Sequence, residues 1–234
     1  MDPYVRNRSD RYQVIDQWPE GFGWIAHPEE LTQRASHALL GDDGVWLFDP
    51  IDASGIDEEI DELGDVVGVA VLSNYHSRDA DIFAHRYDVP VYLPTWMSRV
   101  EPRISHSIER YDARLGNSGF IVDGCQPLPG WREGIAFRKS DRTLYVPDVL
   151  GTATLYTVAK ERIGMHLLVR LRKWLEPLAD VEPARIIVGH GRGIDSRASA
   201  ELYHLRANAR RNFTQALRTN GWAQLRSFLG AVLY

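Results

Sequence analysis

The stretch Val69-Ala-Val-Leu-Ser-Asn-Tyr-His-Ser-Arg-Asp79 decides the fold of this 234-residue chain. It begins inside an apolar run, Val66 to Leu72, which is typical of a buried strand. A polar segment follows, then a helical pattern from Arg78 to Tyr87, and Val89-Pro-Val-Tyr-Leu93 predicts the next strand. Strand, helix and strand in this order predict a parallel crossover unit. The polar segment therefore follows the carboxyl end of its first strand.

The residues before this unit predict a meander of short strands and one helix. Apolar and aromatic runs predict strands at Phe22 to His27, Ala35 to Leu40 and Val45 to Phe48. Gly41-Asp-Asp-Gly44 supplies a hairpin turn between the last two strands. Ile56 to Leu63 has helical spacing, and Gly64 is placed to end that helix.

The residues after this unit predict a second set of strands and helices. The predicted strands are Gly119 to Val122, Gly134 to Phe137, Thr143 to Val146 and Arg185 to Val188. The predicted helices are Met165 to Leu175 and Ala198 to Leu217, and in the helix from Arg78 both Ile82 and Phe83 are expected to face inward. Two halves of this kind predict two sheets packed face to face with helices outside.

Composition restricts the functional classes. The formal charge of −5 gives no general attraction to nucleic acid. The apolar runs are of strand length, far below the roughly 20 residues that cross a bilayer, and no secretory signal follows Met1. The lone Cys125 fits a reducing compartment and a packing role. We expect one cytoplasmic domain over residues 1 to 234, with no nucleic-acid or membrane partner and an undetermined oligomeric state.

Four segments, in this order along the chain, resemble the metallo-β-lactamase superfamily. They are Val45 to Pro50, Val69 to Asp79, the pair Pro129 to Gly134 and Thr143 to Gly151, and Ile186 to Gly191. The resemblance spans about residues 35 to 195. It implies a four-layer αββα sandwich of the α/β (α+β) class. It also implies that Asp49, at the end of the first segment, supports a metal site from behind its ligands.

The resemblance is weakest at the metal site. Three positions match the metal ligands of the superfamily, namely His76, Asp148 and His190. Four positions do not match: Asn74 and Trp131 stand where histidines are expected, Asp79 replaces a third histidine but is still a competent ligand, and Arg78 replaces an aspartate. A two-metal hydrolase needs about seven ligand contacts. A dinuclear centre is therefore not expected.

Two interpretations of the remaining site stay open. The favoured one has no metal, because the guanidinium of Arg78 repels a divalent cation and can replace its charge by pairing with Asp148 or Asp79. The alternative is one divalent ion, zinc, manganese or iron, with His76, Asp79, Asp148 and His190 as its ligands. A water activated by such an ion would be the nucleophile, with Asp79 or Asp148 as the proton acceptor.

The predicted function is that of a hydrolase-like small-molecule protein. Its cleft is expected to be lined by Asn74, His76, Arg78, Trp131 and His190. The alternative is a non-catalytic binding or scaffold protein that keeps the fold without metal. The resemblance does not select a substrate, because one fold supports many reactions.

The other histidines and nucleophiles suggest no competing site. His37 follows strand residues and could face the cleft, but a hydrogen-bonded histidine is the favoured interpretation. Five histidines have no motif around them and are expected at the surface or in packing, namely His27, His85, His106, His166 and His204. No Gly-x-Ser-x-Gly elbow is present.

Overall fold

The computed structural model describes residues 4, 5 and 7–232. Its strands are β1 Gln13–Trp18, β2 Gly21–Ile25, β3 Ala35–Leu40, β4 Val45–Phe48, β5 Val66–Ala70, β6 Val91–Pro94, β7 Ile108–Tyr111, β8 Phe120–Leu128, β9 Trp131–Arg138, β10 Thr143–Val146, β11 Leu150–Gly151, β12 Gly164–Met165 and β13 Arg185–Val188. Its α-helices are α1 Ile56–Leu63, α2 Ala80–Tyr87, α3 Ala198–Asn208 and α4 Phe213–Val232.

Two sheets carry the fold. The first has seven strands in chain order, β1 to β7, and the second has the order β13-β10-β9-β8. In the first sheet β4, β5, β6 and β7 pair in parallel, which confirms the crossover predicted around β5 and α2. In the second sheet β10 pairs in parallel with β13. The hairpin predicted at Gly41 to Gly44 is also confirmed, because β3 and β4 pair antiparallel.

Alternating side chains divide the core into three layers. In β10 the side chains of Leu144 and Val146 pack toward α3, whereas Tyr145 points between the sheets. In the first sheet Leu47 joins the layer under α1 and α2, whereas Phe48 packs against the second sheet. The layers are therefore helix, sheet, sheet and helix, and the predicted αββα sandwich is confirmed.

The parallel pairing places the polar segments together. Asp49 follows β4, residues 73 to 79 follow β5, Asp148 follows β10, and His190 follows β13. The carboxyl ends of parallel strands lie at the same edge of a sheet, which is where ligands bind in open α/β folds. The fold thus brings four separate segments to one end of the sandwich.

Several predicted helices differ in the structure. The residues Met165 to Leu175 form no α-helix; a short strand and a 3-10 helix at Leu167–Leu171 replace it, because Arg170 turns inward as a buried residue. The predicted helix Ala198 to Leu217 is interrupted between α3 and α4. Helix α2 begins at Ala80, with Asp79 at its N-cap position, and Ile82 is exposed while Phe83 is buried.

Two further strands, β1 and β7, form the edges of the first sheet and were not predicted. Among the described residues, no helix combines the length and the apolar character that crossing a membrane requires.

Candidate functional site

A cavity of about 260 Å³ opens where the four segments meet. Its lining includes His76, Arg78, Asp79, Trp131, Asp148 and His190 from the predicted cleft. It also includes residues from three other parts of the chain, namely Tyr4 near the start, Tyr156 and His166 in the second half, and Gln224 and Ser227 on α4. Helix α4 thus forms, together with Tyr4, Val5 and Asn7, a wall that the sequence did not predict.

Asp49 supports the site from behind, as the resemblance implies. Its carboxylate is fully buried and accepts hydrogen bonds from the backbone N–H of Leu72 at 3.0 Å and from the hydroxyl of Tyr145 at 2.5 Å. His76 Nδ1 lies 3.0 Å from the same carboxylate. The aspartate therefore joins both sheets and fixes the ring of His76.

His76, Asp148 and His190 converge on one point. Asp148 Oδ1 lies 2.8 Å from His76 Nε2 and 2.9 Å from His190 Nε2. Ser73 donates its hydroxyl to the other carboxylate oxygen at 2.5 Å. One ligand atom from each of the three residues lies within 4.8 Å of the other two. The three positions that match the superfamily's ligands are thus the three that the structure brings together.

Burial and charge act against each other in this group. Burial alone would raise the pKa of Asp148, but the charge of His76 and hydrogen bonds from both histidines hold it well below its usual range. Burial and the charge of Arg78 oppose protonation of His76, yet the carboxylates of Asp148 and Asp49 leave its pKa raised. Burial lowers the pKa of His190, which favours the neutral imidazole.

Each of the two histidines lies between two hydrogen-bond acceptors. His76 has Asp49 on Nδ1 and Asp148 on Nε2; His190 has the carbonyl of Thr32 on Nδ1 at 2.8 Å and Asp148 on Nε2. A neutral imidazole has only one N–H. If each ring donates from Nδ1, both Nε2 lone pairs point at the same carboxylate oxygen. An acceptor on Nδ1 and a free lone pair on Nε2 are typical of metal-bound histidine.

Arg78 is engaged with backbone carbonyls. It donates to the carbonyls of Ala35 at 2.6 Å, Asp49 at 2.8 Å and Gly189 at 3.0 Å, and its NH2 group lies 3.3 Å from His76 Nε2. The expected pairing of Arg78 with Asp148 or Asp79 is therefore wrong. These three carbonyls surround the guanidinium. Arg78 contacts them from a left-handed backbone conformation, with a φ of +39°.

Asn74 and Trp131 have structural contacts that explain their departure from histidine. The amide of Asn74 donates to the carbonyl of Gly130 at 2.8 Å and accepts from the N–H of Arg132 at 3.0 Å, which fixes the turn between β8 and β9. The indole N–H of Trp131 donates to Glu133 at 2.9 Å. Trp131 lines the cavity as predicted, but Asn74 does not.

Asp79 lies at the cavity but outside the converging group. Its carboxylate accepts a hydrogen bond from the backbone N–H of Asp52 at 2.8 Å. Burial raises the pKa of Asp79, although this hydrogen bond and the charge of Arg34 oppose the shift. A carboxylate with a raised pKa is a better proton acceptor.

Four residues of the site carried no usable sequence signal. Ser73 and Glu133 contact the segment of Asp148, and burial together with the Asp148 charge raises the pKa of Glu133 well above its usual range. Tyr156 stacks on His190 with ring centroids 5.4 Å apart. His166, expected at the surface or in packing, lies against Trp131 in the cavity wall, and burial lowers its pKa to about 4.

His27 also lines the cavity, whereas His37 is buried inside β3 away from it. The hydrogen bond favoured for His37 is absent: neither of its ring nitrogens has a hydrogen-bond partner among the described residues.

Gly189 separates the last strand from the ligand segment, and we expect Gly189→Ala to be strongly destabilising. A Cβ at this position would lie 2.2 Å from the carbonyl oxygen of Pro147 and 3.1 Å from the ring of His76. Overpacking of this kind costs about 1 to 3 kcal/mol or more. Urea unfolding measures the loss. Gly130→Ala is the matched control, because its Cβ would meet no atom within 4 Å and only its φ of +78° opposes the change. If both variants lose the same free energy of unfolding, the contact with the Pro147 carbonyl is not the cause of the loss at position 189.

Comparisons with known proteins identify the fold. No family model matches the sequence, and the search of curated proteins found no match. Solved structures do match. The DIM-1 metallo-β-lactamase aligns over 85% of this chain and 97% of its own, with 12% identity and a TM-score of 0.61. A putative diflavin flavoprotein fragment from Nostoc sp. PCC 7120 aligns over 89% and 98%, with 12% identity and a TM-score of 0.60.

The structure of TTHA1623 in a di-iron-bound form aligns over 72% of this chain and 93% of its own, with 17% identity and a TM-score of 0.52. These likenesses establish that the chain has the metallo-β-lactamase fold.

The residues present fit one metal ion. Two imidazole nitrogens and a carboxylate oxygen are a usual protein donor set for catalytic zinc, and they also suit iron or manganese. His76, Asp148 and His190 form the one group of three histidine, cysteine or acidic side chains that converges within the described part of the chain.

Proposed function

We propose that this chain is a hydrolase of the metallo-β-lactamase fold that works with a single divalent ion held by His76, Asp148 and His190. The observation that carries the proposal is the placement of each imidazole between two acceptors. With both rings neutral, the form that binds a metal ion, this arrangement lacks two hydrogens. His76, Asp148 and His190 would hold one divalent ion, which would supply Lewis-acid polarisation of the bond to be hydrolysed.

The chain's own residues then divide the remaining tasks. Asp49 and the carbonyl of Thr32 hold the two imidazoles in one tautomer through Nδ1. Asp79 is the proton acceptor for an attacking water, because it lines the cavity and burial raises its pKa. Trp131, Tyr156 and His166 form an aromatic wall that limits the entry of bulk water.

One observation favours a metal-free binding protein as the second candidate. Arg78 Nη2 lies 3.3 Å from His76 Nε2 and can donate a hydrogen bond to its lone pair. The guanidinium therefore competes with an ion for His76 Nε2. This competition is weakened, because both terminal nitrogens of Arg78 already donate hydrogen bonds to backbone carbonyls.

The metal content of protein purified without chelator or histidine tag tests the proposal. We expect about one equivalent of zinc, iron or manganese per chain, and we expect Asp148→Asn to lose it because the shared carboxylate oxygen is replaced. Asp141→Asn is the matched control, since Asp141 pairs with Arg138 at the opposite end of β10. No bound metal in the parent protein would refute a metal-dependent hydrolase and favour the binding protein; two equivalents would refute the mononuclear site.

A further inference from the structure

We propose that Arg103 anchors the anionic end of the ligand, so that the substrate class of this cleft is a small molecule with a carboxylate or phosphate group. The inference rests on the proposed function only for the hydrolysed bond; the binding of an anion does not depend on it. It starts from the three arginines that line the cavity, namely Arg34, Arg78 and Arg103.

Two of these arginines are already engaged. Arg34 forms a two-point pair with the buried carboxylate of Glu30, at 2.9 Å through Nε and 2.5 Å through NH2. Arg78 donates to three carbonyls. Both terminal nitrogens of Arg78 are thus occupied and only its buried Nε–H lacks a partner within the described part of the chain, while the charge of Arg34 is neutralised by Glu30.

Arg103 differs from both. It is exposed, and its hydrogen bond goes to the neutral hydroxyl of Ser77 at 3.2 Å. It forms no ion pair with any residue that the structure describes, although the chain as a whole has more acidic than basic residues. A planar guanidinium with unused donors matches the two oxygens of a carboxylate or phosphate.

The position of Arg103 relates the anion to the site chemistry. Ser77, its partner, directly follows His76 and is itself buried at the cavity wall. An oxyanion on Arg103 and the Ser77 hydroxyl therefore lies one residue from a candidate ion ligand. Apolar side chains also line the cavity, among them Ile51, Trp131 and Leu155. A small molecule with an anionic end and a short apolar body matches both kinds of lining.

Binding of three small probes to chelator-treated protein tests the inference. The probes are 4-phenylbutyrate, its neutral amide 4-phenylbutanamide, and 3-phenylpropyl phosphate, with dissociation constants measured by ligand-observed NMR. We expect at least one anion to bind about tenfold or more tightly than the amide, because a charged hydrogen bond replaces a neutral one. The tighter of the two anions identifies the group.

Two variants assign the effect to Arg103. Arg103→Gln should bind the anions and the amide equally, whereas Arg132→Gln should keep the preference, because Arg132 is exposed nearby but does not line the cavity. Equal binding of anions and amide by the parent, no binding of any probe, or an unchanged preference in Arg103→Gln would overturn the inference. If the parent protein contains no metal when purified without chelator but still prefers the anions, the proposed function alone is refuted.

Discussion

Replacing Arg78 by alanine is expected to lower the free energy of unfolding by about 3 kcal/mol. The guanidinium donates to the carbonyl of Ala35, the first residue of β3, and to those of Asp49 and Gly189, which directly follow β4 and β13. It therefore joins the two sheets at the site. Hydrogen bonds to a charged group contribute about 1.5 to 3 kcal/mol each, and removal leaves buried acceptors without partners. Water that enters the gap recovers part of the loss. Urea unfolding followed by circular dichroism measures it.

Arg103→Ala is the control for this prediction, because it removes an exposed arginine from the same cavity and is expected to change stability by less than about 0.5 kcal/mol. If Arg78→Ala unfolds at the same urea concentration as the parent, the carbonyl contacts are not structural. In the proposed mononuclear site, the same variant should bind zinc more tightly, since a cation 3.3 Å from a ligand nitrogen is removed.

Replacing Glu161 by alanine is expected to cost about 3 to 5 kcal/mol, the second large effect. The carboxylate of Glu161 accepts hydrogen bonds from both terminal nitrogens of Arg170, at 2.8 Å and 2.7 Å. Both side chains are buried. Without the glutamate, the Arg170 cation is left buried without a counter-charge. Arg170 also donates to the carbonyl of Tyr156, which stacks on His190, so the loss extends to the site.

The double variant Glu161→Leu with Arg170→Met separates charge from packing. Removing both charges of a buried pair is often close to neutral, so the double variant should be more stable than Glu161→Ala. Thermal unfolding of both proteins tests this order. The opposite order would show that the carbonyl contacts of Arg170, and not its pairing with Glu161, determine the cost.

The sequence predicted the central strands well and the helices of the second half poorly. Ala35–Leu40, Val45–Phe48 and Thr143–Val146 begin and end as expected, because apolar runs bounded by turn residues report local burial. The failure at Met165 to Leu175 has a tertiary cause. Its spacing is helical, but Arg170 is buried by its pairing with Glu161, a residue nine positions earlier, and no local pattern reports such a pair.

The candidate site was predicted in part for a similar reason. His76, Asp148 and His190 stand in segments whose order resembles a known fold, so their convergence could be expected. The partners of Arg78 could not, because backbone carbonyls carry no sequence signal. The same holds for Tyr156, which lies in the loop between β11 and β12, and for His166, which directly follows β12.

Two residues close to the ends of the described chain meet beside the cavity: the hydroxyl of Tyr4 lies 3.1 Å from the hydroxyl of Ser227, and both residues belong to the cavity wall. A purification tag attached within a few residues of either one would be tethered close to the cleft. A polyhistidine tag there would offer its own imidazoles to the ion being counted, and a bulky fusion would obstruct ligands. The turn at residues 140 to 142 lies at the other end of β10 from Asp148, so an affinity handle inserted there leaves the entrance clear.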